Sequence, residues 1–279
     1  MLNTPPLTEL QTLALRLAAA AGEELLARQP GLSIDAVGVE TKSSASDPVS
    51  AADRASEKLI TDGLTAARPG DGLLGEEGAA RASETGLTWV IDPLDGTVNY
   101  LYGRLDWCVS IAAEDEAGAL VGVVHQPRTG ITWSAIRGEG AWRDDFRLGA
   151  PRDVVPLGPP RDVVLGSALV STGFSYLPER RAEQADHLLR VLPAVRDVRR
   201  GGSAALDLCS VADGTADAYY EHLIQPWDIA AGALIAREAG AQTTGGPGTA
   251  LPHGILAAEP SLAAALIELL APSTPRRPV

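Results

Sequence analysis

The segment WVIDPLDGTVNY, at residues 89–100, constrains the fold more than any other part of this chain. It ends an apolar run with two carboxylates, a proline and a Gly-Thr pair. Residues 87–91 have the composition of a buried strand, and Asp92-Pro93 must end it, since proline lacks the N–H that a strand ladder needs. The pattern therefore predicts a buried strand that stops at a polar turn.

The predicted turn brings two acids close together. Asp92 and Asp95 lie three residues apart around Pro93, so both carboxylates can face one point, where they repel unless a cation lies between them. Oxygen ligands of this kind suit Mg²⁺, which shares its shell with water and substrate phosphate. Gly96 lets the backbone approach a ligand, and the N–H groups of Gly96 and Thr97 at a helix start would hold a phosphate. A plain turn explains the same block when it is taken alone.

Three further acids lie near the ends of predicted elements or on a predicted helix. Glu76 in GEEG follows a short apolar strand, Asp228 opens the helical pattern IAAGALIAREAGA, and Asp53 lies in an Ala-rich helical stretch. Each also has an ordinary explanation: Glu76 could lie at a charged loop tip, Asp228 could be a helix N-cap, and Asp53 could lie on a solvated helix face. Their joint occurrence favours one shared site.

These motifs occur in the order and spacing of a known family. The blocks DPVSAADRASEKLI, LLGEEG, WVIDPLDGTVNY and QPWDIAAGALIAREAGA resemble those of the inositol monophosphatase family of metal-dependent, lithium-sensitive phosphatases, over residues 42–241. The stretch RRGGSAALDLCSVADGTADAYYEHLIQPWD is most similar to bacterial inositol-1-monophosphatases of the SuhB type. The resemblance implies Mg²⁺-dependent hydrolysis of an inositol monophosphate to inositol and phosphate by a metal-activated water.

The resemblance also implies which residues hold the metal. One Mg²⁺ would be held by Glu76, Asp92 and the backbone carbonyl of Leu94. A second would be held by Asp92, Asp95 and Asp228. Every one of these positions carries a residue of the type that the family uses.

The resemblance further implies roles toward the substrate and the attacking water. Thr97, Asp53 and Glu76 would orient the water, and they are the predicted catalytic residues. The predicted substrate contacts are Asp95, Gly96, Thr97, Ala204 and Glu221. Glu221 could instead only close a turn after the strand-like ADAYY, and Lys42 could lie near the metal or simply on the surface.

Two alternatives to inositol monophosphate hydrolysis stay open. The first is the same chemistry on fructose-1,6-bisphosphate, histidinol phosphate or 3'-phosphoadenosine 5'-phosphate, although nucleotide-specialised relatives tend to carry a lysine where this chain has Val98-Asn99. The second is a non-enzymatic interaction role, since some SuhB-type relatives bind transcription machinery. No GxxxxGK[ST] or GxSxG motif supports another enzyme class, and the four histidines are scattered without the spacing of zinc ligands.

Composition fits an enzyme of the cytoplasm. The 279 residues are 45% hydrophobic, which is ample for a core, and 36 acidic against 23 basic residues give a net charge of -13, which argues against broad nucleic-acid binding. Cys108 and Cys209 lie in apolar runs and predict buried thiols rather than a disulfide. Residues 7–26 predict an amphipathic helix rather than a signal peptide, and no stretch is apolar enough to span a bilayer. We therefore expect a cytoplasmic protein.

Alternating strands and helices predict an α/β protein. The predicted helices are 7–26, 48–67, 179–192, 203–212, 226–239 and 262–270, and the predicted strands are 72–74, 87–91, 107–113, 120–124, 131–135, 163–170 and 216–220. The Gly/Pro-rich stretch 149–160 predicts a linker between an N-terminal α+β half, residues 1–150, with most metal ligands, and a C-terminal α/β half, residues 151–279, with Asp228 and substrate contacts. The resemblance, and not this pattern, implies the layered αβαβα sandwich of the inositol monophosphatase and fructose-1,6-bisphosphatase type, and a homodimer.

Overall fold

The structure is a computed structural model that describes residues 6–29, 40–41, 48–49, 51–145, 153–246 and 249–271. Two expectations lie outside these residues: the position of Lys42 near the metal or on the surface, and the first part of the linker, at 149–152. Within the described ranges, no helix combines the length and the hydropathy needed to cross a membrane.

Helices and strands alternate along the described chain. The helices are α1 (Leu7–Arg28), α2 (Ala51–Ala67), α3 (Thr97–Leu101), α4 (Pro178–Val191), α5 (Ala204–Ala212), α6 (Pro226–Glu238) and α7 (Pro260–Leu270). A short antiparallel ribbon pairs β1 (Glu40–Thr41) with β2 (Pro48–Val49). All remaining strands belong to two sheets.

The first sheet carries the strand of the DPLDGT block. Its strands are β3 (Gly72–Gly75), β4 (Ala80–Arg81), β5 (Thr88–Asp95), β6 (Cys108–Asp115), β7 (Gly118–Gln126), β8 (Ile131–Ile136), β9 (Gly140–Asp145) and β10 (Asp153–Pro156). They are ordered β10-β9-β8-β7-β6-β5-β3-β4, and only β3 and β5 pair in parallel among these described strands.

Both faces of the first sheet are covered by helices. On β5, Trp89 and Ile91 pack into the core that α1 and α2 share, whereas Val90 between them packs into the core with α5 and α6. Successive side chains of a strand point to opposite faces, so a strand that is buried on both faces needs a continuous apolar run. This explains why the run before Asp92 shows no alternation with polar residues.

The second sheet lies on the other side of α5 and α6. Its strands are β11 (Leu169–Thr172), β12 (Asp197–Arg199), β13 (Ala218–His222), β14 (Gln242–Gly245) and β15 (Gly254–Ala258), in the order β12-β11-β13-β15-β14. Tyr219 packs toward α5 and α6, while its neighbour Tyr220 packs into the core that α4 and α7 cover. The layers are therefore α1 and α2, the first sheet, α5 and α6, the second sheet, and α4 and α7. The predicted αβαβα sandwich is confirmed.

Several element predictions need correction. Residues 163–170 are not one strand, because a 3-10 turn at Leu165–Ser167 separates the approach from β11. The predicted helix 48–67 begins only at Ala51, since residues 48–49 pair with β1. Part of the predicted linker is a strand, because β10 pairs with β9. Glu221 lies within β13 rather than in a turn.

The division into halves stays a prediction. Its boundary at residue 150 falls between β9 and β10, at residues that the structure does not describe. Both cysteines are buried and free, as their apolar runs predicted.

One buried carboxylate ties the start of β3 to β5. Asp71 is 0% exposed and accepts two hydrogen bonds from Arg68, at 2.8 and 3.0 Å. It also accepts from the Thr85 hydroxyl at 2.7 Å and from the Trp89 indole N–H at 3.0 Å. Burial raises the pKa of Asp71, but these donors outweigh burial, so its pKa lies below the ordinary value of 3.8.

We predict that Asp71→Asn lowers the free energy of unfolding at pH 7 by about 2 kcal/mol, because it weakens charge-assisted hydrogen bonds in the core. The folded pKa is depressed, so the stabilisation is present above the unfolded value of 3.8 and is lost as pH falls through the lower folded value. Urea unfolding at pH 7 and at pH 3 measures both effects, and the difference between wild type and variant should shrink at pH 3.

The exposed ion pair of Asp197 and Arg199 provides the control. Asp197→Asn should leave the urea midpoint unchanged, since exposed ion pairs contribute little. Equal midpoints for wild type and Asp71→Asn at pH 7 would contradict the role of Asp71.

Candidate active site

A cavity of about 110 Å³ collects nearly all of the predicted site residues. Ten positions were predicted, and all of them except Asp53 line it. The lining residues are Glu76, Asp92, Leu94, Asp95, Gly96, Thr97, Gly173, Phe174, Tyr176, Arg200, Gly202, Ala204, Glu221, Ile224 and Asp228. A larger groove of about 790 Å³ runs beside α6 and β14 but contains no predicted site residue.

A break in strand pairing turns both acids of β5 toward this cavity. Asp92 pairs with Ser110 and Asp95 pairs with Cys108, with a register shift between the two pairs. In a regular strand, residues three apart point to opposite faces, whereas a bulge changes that relation. The Asp92 Oδ1 atom also accepts a hydrogen bond from the Leu94 N–H at 3.0 Å, which fixes the turn.

Gly96 is required by the backbone at the start of α3. Its φ is +91°, in the left-handed region, and a Cβ there would lie 2.8 Å from the Asp106 carbonyl oxygen. Thr97 follows and its hydroxyl lies 3.1 Å from the Leu94 carbonyl oxygen and 3.4 Å from Asp53 Oδ2. The side chain of Thr97 thus joins β5 to α2.

Asp53 lies behind Thr97 rather than on the cavity wall. It projects from the first turn of α2 and is only 1% exposed, so the explanation as a solvated helix face is wrong. Asp53 can act on a bound molecule through the Thr97 hydroxyl, and its charge also raises the pKa of Asp92.

The loop that carries Glu76 is held by a residue that sequence reasoning missed. Glu57 on α2 is 7% exposed and accepts hydrogen bonds from the N–H groups of Glu77 at 2.9 Å and Ala79 at 3.0 Å. Glu76 itself donates its N–H to the Ile91 carbonyl at 3.2 Å, which places it beside β5. The position of Glu57 four residues after Asp53, on one helix face, was the available signal.

The N-termini of α5 and α6 complete the acidic part of the cavity. Asp95 Oδ2 accepts from the Ser203 hydroxyl at 2.7 Å and from the Ala205 N–H at 2.8 Å, both at the start of α5. Asp228 lies in the first turn of α6, where its Oδ2 accepts from the Gln225 N–H at 2.8 Å. Asp228 is therefore both a helix cap and a cavity residue.

Glu221 lines the same cavity from the second sheet. The Tyr219 hydroxyl donates to its Oε2 at 2.8 Å. Burial raises the pKa of Glu221 to about 7, against the opposing effects of the Tyr219 hydrogen bond and the Arg200 charge. Arg200 supplies the basic side chain at this cavity and was not predicted as a site residue, although it lies four residues before Ala204.

The acids of the cavity destabilise one another as anions. Burial raises the pKa of Asp92 well above its ordinary value, and the charges of Glu76, Asp95 and Asp228 raise it further. Burial likewise raises the pKa of Asp95 to about 6 and that of Asp228 well above the ordinary range. Such a cluster favours a bound cation.

The donor set fits a hard divalent cation. It consists of carboxylate oxygens together with the Leu94 carbonyl oxygen, which lies 3.1 Å from the Thr97 hydroxyl. Within the described ranges, no three acidic, histidine or cysteine side chains are drawn together tightly enough to enclose an ion. The chemistry of the donors, rather than a closed cage, therefore carries the fit.

Comparison with known proteins decides the family. A profile of the inositol monophosphatase family matches residues 6–274. The chain belongs to the inositol monophosphatase family. The inositol-1-monophosphatase of Mycobacterium leprae is 44% identical over 245 residues, which are 83% of this chain and 81% of that protein. The family predicted from the sequence is confirmed, and with it the enzyme class of a phosphoric monoester hydrolase.

Solved structures of this family share the whole architecture. The SuhB protein of Bartonella henselae superposes with a TM-score of 0.84 at 31% identity, covering 95% of this chain and 100% of that one. SuhB of Mycobacterium tuberculosis superposes with a TM-score of 0.80 at 40% identity, covering 96% of this chain and 97% of that one. Another relative, the Nus factor SuhB of Xylella fastidiosa, is 40% identical over 195 residues, covering 70% of this chain and 67% of that protein.

We predict that Asp92→Asn stabilises the metal-free protein. The folded pKa of Asp92 is raised above its ordinary value of 3.8, so stability is lost as pH rises from that unfolded value through the folded one, and the neutral amide removes this loss. In EDTA at pH 8, the melting temperature should rise by about 3 °C, the shift that 1 kcal/mol produces in a protein of this size. Mg²⁺ should stabilise wild type more than the variant.

Asp217→Asn is the matched control, since Asp217 is buried but paired with Arg161 at 2.8 Å. That change should lower the melting temperature in EDTA. A similar loss for Asp92→Asn would show that Asp92 is a satisfied structural acid.

Proposed function

We propose that this protein hydrolyses inositol monophosphates to inositol and phosphate with Mg²⁺ as its cofactor. The observation that carries the proposal is the convergence of nine predicted positions on one cavity, with Glu221 facing the metal-ligand acids. The residues that would hold the metals are Glu76, Asp92, Leu94, Asp95 and Asp228. When bound, Mg²⁺ supplies positive charge against the phosphate and lowers the pKa of water.

The residues around Thr97 would orient a water molecule. The Thr97 hydroxyl lies between the Leu94 carbonyl oxygen and Asp53 Oδ2, so it can accept a hydrogen bond from water while it donates to one of them. Glu76 lines the same cavity and can accept a proton from that water. The side chains of Thr97, Asp53 and Glu76 would therefore align a lone pair of the water toward phosphorus.

Backbone groups at the end of β5 would hold the phosphate. The N–H groups of Gly96 and Thr97 can donate to its oxygens, since both residues line the cavity and lie at the start of α3. The N–H donors become more important as charge builds on the equatorial oxygens during in-line attack. No covalent phosphoenzyme is needed.

The second sheet would recognise the polyol. Glu221 can accept hydrogen bonds from ring hydroxyls, next to Ala204 and Asp95. Fructose-1,6-bisphosphate, histidinol phosphate and 3'-phosphoadenosine 5'-phosphate are the competing substrates. Lithium inhibition, a homodimer and a cytoplasmic location are further expectations from the family.

A non-enzymatic interaction role is the second candidate, because one relative carries the name Nus factor SuhB. The intact acidic set argues that binding would accompany turnover rather than replace it. Capture of transcription proteins by Asp92→Asn, together with no phosphatase activity in wild type, would favour this candidate.

We predict Mg²⁺-dependent phosphate release with inositol-1-phosphate as the preferred substrate. Initial rates with and without Mg²⁺ should be measured on inositol-1-phosphate and on the three competing substrates. Asp92→Asn should lower kcat by about a thousandfold or more, because the assigned shared ligand is lost. A preference for another substrate would change the substrate assignment. If no phosphate were released from any of the four substrates, the proposed function would be refuted.

We predict that Glu221→Gln raises KM for inositol-1-phosphate by about tenfold and leaves kinetics on p-nitrophenyl phosphate within about twofold, since only the former carries ring hydroxyls. The pKa of Glu221 is about 7, so its carboxylate is the stronger acceptor above pH 7 and is lost below it. The ratio of the two KM values should therefore rise in wild type as pH falls through 7.

The same ratio should change less with pH in Glu221→Gln. The alkyl and aryl phosphates titrate with different second pKa values, so the wild-type ratio is compared with the variant ratio at each pH, where the phosphate titration is the same for both proteins. Equal losses on both substrates would reject Glu221 as a polyol contact.

A further inference from the structure

Two segments that leave the second sheet line the side of the cavity away from the acids of β5. The aromatic loop, residues 173–177, connects β11 to α4, and the recognition turn, residues 221–224, follows from the end of β13. The strands β11 and β13 are parallel neighbours, so both segments leave the sheet at the same edge. Their lining residues are Gly173, Phe174, Tyr176, Glu221 and Ile224.

The aromatic loop lies directly against the Glu221 carboxylate. A Cβ added at Gly173 would be only 1.8 Å from Glu221 Oε2, so the backbone of the loop approaches the Glu221 carboxylate closely. The Tyr219 hydroxyl contacts the same oxygen at 2.8 Å. The position of Glu221 therefore depends on where the aromatic loop lies.

The recognition turn contains a strained residue. Leu223 has a φ of +68°, and no other non-glycine residue in the described chain has a positive φ. The N–H groups of Leu223 and Ile224 both donate to the His253 carbonyl oxygen, at 2.7 and 3.1 Å. Strained backbone persists only when its surroundings fix it, and such residues cluster at binding sites.

Gln184 on α4 joins the two segments. Its side chain is 3% exposed, and its Oε1 atom accepts a hydrogen bond from the Ser175 N–H at 2.8 Å. Its Nε2 atom donates to the His222 carbonyl oxygen at 2.6 Å, at the peptide just before the strained Leu223. The buried Gln184 amide thus holds the aromatic loop and the recognition turn at a fixed separation.

Only a side chain with a donor and an acceptor can make both bonds. A carboxylate could accept from Ser175 but would repel the His222 carbonyl, and an apolar side chain would make neither bond. Arg181, one turn earlier on α4, donates to the Ser175 and Tyr176 carbonyls at 2.7 and 2.8 Å and supports the aromatic loop itself.

We propose that Gln184 is a positioning residue for polyol recognition, which sets the separation of the aromatic loop from the recognition turn and so the affinity for the sugar part of the substrate. The inference rests on the proposed function, because the polyol contact of Glu221 belongs to it. Gln184 does not line the cavity, so it acts through the residues that do.

The test compares Gln184→Met and Gln184→Glu with wild type on inositol-1-phosphate and on p-nitrophenyl phosphate. In Gln184→Met, KM for inositol-1-phosphate should rise about tenfold, with kcat and p-nitrophenyl phosphate kinetics within about twofold. For Gln184→Glu, the KM of the variant should be compared with the KM of wild type at each pH. The two values should come closer as pH falls from about 8 to about 6, since the protonated carboxyl can donate to the His222 carbonyl. Gln184→Met should show no such recovery.

Gln11→Met is the matched control, because Gln11 also bonds through its amide, to Ser134 at 3.2 Å, but lies on α1. It should leave both substrates unaffected. Equal losses on both substrates in Gln184→Met, or kinetics identical to wild type, would overturn the proposal.

Amide hydrogen exchange gives a second readout that needs no substrate. Exchange at Ser175 should become faster in Gln184→Met and stay unchanged in Gln11→Met. Unchanged exchange in Gln184→Met would overturn the positioning role. A wild type that releases no phosphate from inositol-1-phosphate would refute the proposed function, while the exchange result would still decide whether Gln184 holds the aromatic loop.

Discussion

Electrostatic repulsion among buried carboxylates at the end of β5 is the constraint around which this structure is arranged. Asp92 and Asp95 are 1% and 8% exposed, and burial raises the pKa of both. Buried charges of one sign cost stability unless a counter-charge or hydrogen-bond donors offset them. The local N–H and hydroxyl donors offset part of this cost, and a bound cation would offset the remainder.

The layered fold supplies those donors from distant parts of the chain. The first sheet contributes the bulge that turns Asp92 and Asp95 to one side, and the central helix layer contributes the first turns of α5 and α6. Helix N-termini carry partial positive charge, so placing them against Asp95 and Asp228 lowers the cost of burying these acids. The second sheet then adds Glu221 on the far side of α5 and α6. The first sheet, the helix layer between the sheets and the second sheet thus each contribute an acid or the group that stabilises one.

Local signals in the sequence were enough for the fold class and for the residues that lie in motifs. The apolar run before Asp92 predicted a buried strand, which the structure contains, but the predicted stop at Asp92-Pro93 is wrong, because β5 continues through a register shift to Asp95. The approach of the Gly96 backbone to a ligand stays a prediction. The missed residues depend on contacts between distant positions. Glu57 acts 20 residues away in sequence, and Gln184 acts 38 residues away at His222. Short edge strands such as β10 and β12 were missed as well, since turn-forming or charged residues mask their pairing.

The account depends on a divalent cation being bound between Asp92 and its neighbouring acids. The most direct measurement is an anomalous difference map from crystals soaked in Mn²⁺, which has the ligand preferences of Mg²⁺ and a usable anomalous signal. We expect peaks about 2.1–2.3 Å from carboxylate oxygens of Asp92, on the side of Glu76 and on the side of Asp95 and Asp228. A map with no peak beside Asp92 would contradict the account, since the acids would then have to be stabilised by protein groups alone.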